Sequence, residues 1–162
     1  MKKSFYLLLL CVSFGYAQNS STIESGKTVC QYSQTGKLLK WEDFKPSNGR
    51  MMATAIPCEI QNDKSTNTIL ISVVCMQTAF NQFGVDKIND MILVASEKVR
   101  NSLRADHLYN PKEIKMAYMP DSHDWSLTSS FTIEGEDGIV KEQLLAIDFD
   151  ANGKFAVMKR IL

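Results

Sequence analysis

Histidine is scarce in this chain: 162 residues include two, His107 and His123. HExxH, GxSxG, the P-loop and GxGxxG are all missing, so the common signatures of zinc peptidases, α/β-hydrolases and nucleotide- or dinucleotide-binding proteins are absent. No CxxC occurs, and the gaps between Cys30, Cys58 and Cys75 do not have metal-ligand spacing. Basic residues form no run: 18 Lys and Arg stand against 18 Asp and Glu. That balance argues against nucleic acid as the main partner, since such binding rests on clustered positive charge. Past the first 17 residues no apolar stretch approaches the roughly 20 needed to cross a membrane as a helix, and no repeat or low-complexity tract is visible. These absences predict no metal and no cofactor.

What is present begins at the amino end. Met1-Lys2-Lys3 leads into "SFYLLLLCVSFG" and then "YAQ". A basic tip, a short apolar run and a small residue before a polar start make a secretory signal peptide, with cleavage expected after Ala17. Leu10 is too bulky for a lipobox before Cys11. The mature chain is then one domain, residues 18–162, with 18–27 as a loose polar leader. Loss of Lys2 and Lys3 takes the basic residues from 18 to 16 against 18 acids, a net charge of about −2. In an oxidising compartment a disulfide is plausible. Cys58 and Cys75 fall on the two strands of one predicted hairpin and are the expected pair. Small buried hydrophobes are the alternative reading of the cysteines.

The patterning predicts an α+β fold. "TVCQYS" reads as a short strand; "TAIPCEIQ" and "TILISVVCMQ" read as a hairpin with a longish loop, Pro57 placing the first strand on an edge or at a bulge. Ile88, Ile92, Ala95, Val99 and Leu103 recur at helical spacing. They predict a helix of about 17–20 residues, with Asp86 as N-cap and "YNP" at 109–111 as its stop. The last third alternates as antiparallel strands separated by the turns "DSHDW", "EGEDG" and "DANG". One long helix on a mostly antiparallel, curved sheet is the expected architecture; a cystatin-like or nuclear-transport-factor-like small domain is the alternative.

Candidate chemistry is thin. Asp148, Asp150, Asn152 and Gly153 match the start of a calcium loop, but position 12 is Lys159 and a strand follows; a hairpin turn is the better reading. His107 at the end of the helix suits the helix dipole. Asp121, Ser122, His123, Asp124 and Trp125 look like a condensed triad, yet triad members normally converge from separate segments, so a capped turn is expected. Glu134, Glu136 and Asp137 read as a solvated acidic tip.

"LLKWEDFK" is the most distinctive stretch. Trp41, Asp43 and Phe44, followed by Ala53-Thr54-Ala55, resemble the opening segment of a family of exported bacterial proteins of uncharacterised function, often described as zinc peptidases. The resemblance spans about residues 38–104. It implies a strand, then a helix carrying HExxH. Here the corresponding helix reads "GVDKINDMILVA", without histidine or glutamate, so the zinc chemistry that the resemblance implies has no ligands. Read from the residues, Trp41 and Phe44 pin an irregular segment to the core while Asp43 accepts backbone amides. If the donor is buried, Asp43→Ala then costs roughly 1–3 kcal/mol. The functional alternative puts Trp41, Asp43, Phe44 and Trp125 at a binding surface. The expected function is that of an exported non-catalytic binding or accessory protein of the bacterial cell envelope, its partner an envelope protein or a small ligand. The alternative is a hydrolase, a divergent relative of those peptidases or one using His123.

Overall fold

The computed structural model describes residues 30–32, 38–62, 65–104, 107–135 and 138–161. The segments expected as signal peptide and leader, the residues at 136–137 and Asp106 lie outside them. Within these residues the chain forms eight strands and one helix: β1 (Cys30–Tyr32), β2 (Lys45–Ser47), β3 (Met51–Asn62), β4 (Ser65–Met76), α1 (Gln77–Asn101), β5 (Leu108–Met119), β6 (Asp124–Glu134), β7 (Val140–Phe149) and β8 (Phe155–Arg160). The fold is α+β, a single helix on a mostly antiparallel sheet. The strand order is β1-β3-β4-β5-β6-β7-β8, and β2 pairs with β3 beside β1.

Alternation of apolar and polar residues decides which face is buried. Met52, Thr54, Ile56 and Cys58 on β3 are buried, as are Ile69, Ile71, Val73 and Cys75 on β4. The same face continues through Met116, Leu127 and Ile147, which are directly opposed across β5, β6 and β7. Residues between them, such as Ala53, Ser72, Ser126 and Asp148, face the other way and stay half-buried. A period of two on a sheet with one covered face predicts this split. The helix covers the buried face with Ile88, Ile92, Ala95 and Val99. Fully burying each such aliphatic chain contributes roughly 1.5–3 kcal/mol.

The helix departs from the expected span. It starts at Gln77, nine residues before Asp86, and is interrupted at Gly84, whose φ of 70° and ψ of 168° are not helical. Glycine alone adopts that conformation without steric strain. A short first segment carries the buried Ala79 and Phe80; the long segment after the break is the one that the apolar spacing predicts. The end differs as well. The helix stops at Asn101, and Tyr109–Pro111 belongs to β5, where Pro111 sits at a register shift in the β5–β6 ladder. The ladder tolerates that proline because a bulge removes the need for its amide.

The β3–β4 hairpin is tighter than the sequence suggests. Pairing runs without a break to Asn62 opposite Ser65, so 63–64 make the connection. Among the described residues β2 covers Met51–Ala53 on the outer edge of β3 and β1 covers Cys58–Ile60. Pro57 falls in the uncovered stretch between them, in keeping with its expected edge position. Between β4 and β5, which run parallel, the helix makes the long crossover that a parallel pair requires.

The "DANG" turn docks on the helix. Gly153 has a φ of 72°, and a β-carbon there would stand 3.0 Å from Lys87 Cε and Met91 Sδ and 3.2 Å from Phe83 Cε1. Its side chain is excluded both by conformation and by contact.

Candidate functional site

Residues 38–44 run back along the helix, and the sequence places an anchor at each end. Leu38 and Leu39 are fully buried. Asn89, also buried, clamps the backbone of Leu39: its Oδ1 accepts the Leu39 amide and its Nδ2 donates to the Leu39 carbonyl, both at 2.9 Å. Trp41–Asp43 then form one turn of 3-10 helix. The Lys40 amide donates to Asp43 Oδ2 at 2.7 Å, and the Phe44 amide to the Trp41 carbonyl at 3.2 Å. Lys45 Nζ donates to the Glu42 carbonyl at 2.8 Å.

The two rings of "WEDF" take different fates. Both pack against Phe80 in the first helical segment, each with centroids 4.6 Å apart and the rings tilted by 44° and 42°. Phe44 is buried, as the core reading predicts. Trp41 is 59% exposed and therefore corrects that reading: its ring meets Phe80 at a tilt of 44° and the residue stays largely open to solvent. Three residues apart in a 3-10 turn, both rings fall on the side of Phe80, and they differ in depth: Phe44 is inside the core and Trp41 at its margin. The result is a large amphipathic ring packed against Phe80 at the surface.

Asp43 serves the turn, yet its donor, the Lys40 amide, is solvent-exposed. Water can replace an exposed acceptor, so the loss is smaller than a buried donor implies. Asp43→Ala should lower unfolding free energy by about 0.5–1.5 kcal/mol, read by urea denaturation. A change above that range would mean that Asp43 supports more than one amide.

The second cluster lies at the far end of β5. His123, in the turn between β5 and β6, has a φ of 58°, and its Nδ1 is 2.9 Å from the Tyr118 hydroxyl. Asp121 and Ser122 are exposed in the same turn, and the hydrogen bond of His123 goes to Tyr118 and not to either of them. Trp125 is fully buried, which overturns its assignment to a binding surface. It occupies an inward position of β6, between the edges of Tyr118 (5.3 Å) and Phe83 (5.4 Å). Its indole Nε1 has no partner, nor has Thr54 Oγ1. His107 precedes Leu108 at the other end of the twelve-residue β5, so roughly 36–40 Å of strand separates the two histidines. They share no site. Among the described residues no group of three or more His, Cys, Asp and Glu could hold a metal ion.

The cysteines also differ from expectation. Cys75 is a free, buried thiol, whereas Cys58 is disulfide-bonded. The expected Cys58–Cys75 bridge is excluded by register: Cys58 stands opposite Ile69, and Cys75 opposite Met52. Six residues of strand, about 20 Å, intervene. Burial pushes the Cys75 thiol up to about 11 from its usual 9.0, which leaves it unreactive. The folded protein holds this proton while the unfolded chain releases it above about 9. Stability present below that pH should fall as pH rises from about 9 to 11, by up to about 1.4 kcal/mol per unit. Alkaline denaturation of the protein beside Cys75→Ala measures this: the variant should lose that part of the slope.

Sequence reasoning did not find Asn89, Phe80 or Tyr118. Asn89 has the one legible signal, a polar residue beside the buried Ile88 on a helix face; the other two look like ordinary core aromatics. No family model matches the chain, and neither the curated proteins nor the solved structures include a match to it.

Proposed function

We propose that the protein is an exported, non-catalytic binding or accessory module of the bacterial cell envelope, and that Trp41 is its contact ring. The observation that carries this reading is the mounting of Trp41: 59% exposed, packed against the buried Phe80 and carried by a turn whose backbone is tied at Lys40, Trp41 and Leu39. Tryptophan dominates binding hot spots because one rigid ring offers large apolar area with little entropy to lose. Packing against Phe80 and a hydrogen-bonded turn leave the ring less freedom to lose on binding. The disulfide at Cys58 supports an oxidising, exported setting.

Trp41→Ala should remove capture of the partner from host envelope extracts while leaving the protein folded. Uncovering Phe80 and losing the ring pair costs about 1 kcal/mol of stability, so binding is compared at equal folded fraction. Equal capture by the variant and the parent would end this reading.

A further inference from the structure

The helical segment on which Trp41 packs carries amides and no charge. Residues 65–85, "STNTILISVVCMQTAFNQFGV", contain no Asp, Glu, Lys or Arg. Within 77–83, the part of the helix before the break at Gly84, the apolar residues turn inward. Ala79 and Phe80 are buried and Phe83 is half-buried, whereas Gln77, Thr78, Asn81 and Gln82 are exposed. At about 100° per residue, Gln77 and Asn81 stand roughly 60° and 100° round the helix from Phe80, with Ala79 and Phe83 on its other flank. That other flank lies in the core. Trp41, packed against Phe80 yet largely open to solvent, therefore borders the flank of Gln77 and Asn81. The backbone joins the two segments as well, since the Gln77 amide donates to the Arg50 carbonyl at 2.6 Å.

The ring stands alone on this surface. Among the described residues 38–50 and 77–83, Trp41 is the one large hydrophobic side chain that is exposed. A protein hot spot gathers anchors in one well-packed, dry patch. A single ring bordered by amides suits a ligand with one apolar face and a polar edge. Charge offers no competing choice. In residues 38–50 Lys40, Lys45 and Arg50 stand against Glu42 and Asp43, and both Lys45 Nζ and the Asp43 carboxylate are bonded within the turn. A strongly acidic or basic partner meets no patch of one sign here.

A pyranose sugar has the required shape. Where its hydroxyls are equatorial, its axial C–H groups form an apolar face and the hydroxyls form a polar rim. The C–H hydrogens carry a slight positive charge and are attracted to the electron-rich face of an aromatic ring. A primary amide offers a hydroxyl both donors and an acceptor. On the reading of Trp41 as the contact ring, we infer that its partner is a neutral carbohydrate of the envelope. One gluco-configured pyranose lies against the exposed indole, and Gln77 and Asn81 bond its hydroxyls.

The probes are cellotetraose and N-acetylchitotetraose, both neutral, β-linked and gluco-configured. Each is titrated into the full mature protein carrying Trp125→Phe, which leaves Trp41 as the one source of indole fluorescence. At least one of them should shift that emission saturably, with an affinity that does not change with salt. Gln77→Ala and Asn81→Ala should each weaken binding by about two- to tenfold, the worth of one hydrogen bond. By calorimetry on the chain with Trp125 intact, Trp41→Ala should leave no measurable binding at equal folded fraction. If neither sugar binds while Trp41→Ala still abolishes capture from envelope extracts, the carbohydrate is wrong and Trp41 contacts something else. If neither sugar binds and capture does not depend on Trp41, both readings fall. Sugar binding that survives Trp41→Ala, or that fades as salt rises, would also overturn the inference.

Discussion

Asn89→Ala should lower the melting temperature by roughly 5–15 °C, read by circular dichroism. Asn89 is buried, and its side chain satisfies both backbone groups of Leu39. Its loss leaves a donor and an acceptor unpaired among Leu38, Leu39 and the helix. One buried unsatisfied group costs about 1–3 kcal/mol, so the pair together should cost about 2–4. For a domain of this size 1 kcal/mol moves the midpoint by about 2–4 °C. Asn89→Leu separates packing from hydrogen bonding, because it keeps the volume but not the clamp; it should be destabilised nearly as much. A loss below about 1 kcal/mol would mean that water enters and replaces the amide.

Removing the disulfide should have a comparable effect. Cys58 is disulfide-bonded and Cys75 is not. The parallel ladder sets the backbone of Cys30 directly opposite Cys58, a spacing of about 4.8 Å between strands that suits a bridge. A non-reducing digest of protein from the host should yield one peptide joining positions 30 and 58, with Cys75 alkylated only after unfolding. Cys58→Ala should lower unfolding free energy by roughly 2–4 kcal/mol, because the closed loop no longer restricts the unfolded chain. A bridge containing Cys75 would contradict the register of the β3–β4 hairpin.

Much of this architecture is legible in the residues because it follows from period. The spacing of Ile88, Ile92, Ala95 and Val99 names the buried helix face, and the alternation of Leu145, Ile147 and Phe149 names that of β7. Gly84 marks where the helix breaks, yet a lone glycine inside an apolar pattern does not say that another helical segment precedes it. Tyr109-Asn110-Pro111 misleads for a related reason: proline forbids a helix but not a strand with a bulge. Pairing is harder to read than period. The Cys58–Cys75 expectation fails because hairpin register depends on how many residues connect the last pair, Asn62 and Ser65, and each residue added there moves every opposite pair.

The site divides in the same way. "WEDF" is recognisable as an anchored turn, and Phe44 and Asp43 behave as their chemistry suggests. Which ring stays outside depends on Phe80, nearly forty positions away, and on the angle of a single 3-10 turn. Neither is written locally. Trp125 shows the converse: beside "DSHD" it looks like a rim residue, while its inward position on β6 buries it completely.

Site-specific photo-crosslinking in the living host tests the central claim most directly. A benzophenone side chain at position 41 keeps an aromatic ring against Phe80; the same group at Val94, also apolar and exposed, serves as the comparison. The account predicts one discrete adduct from position 41 in the envelope fraction and none from position 94. The same adducts from both positions, or none from position 41 while the protein is folded and exported, would contradict Trp41 as the contact ring.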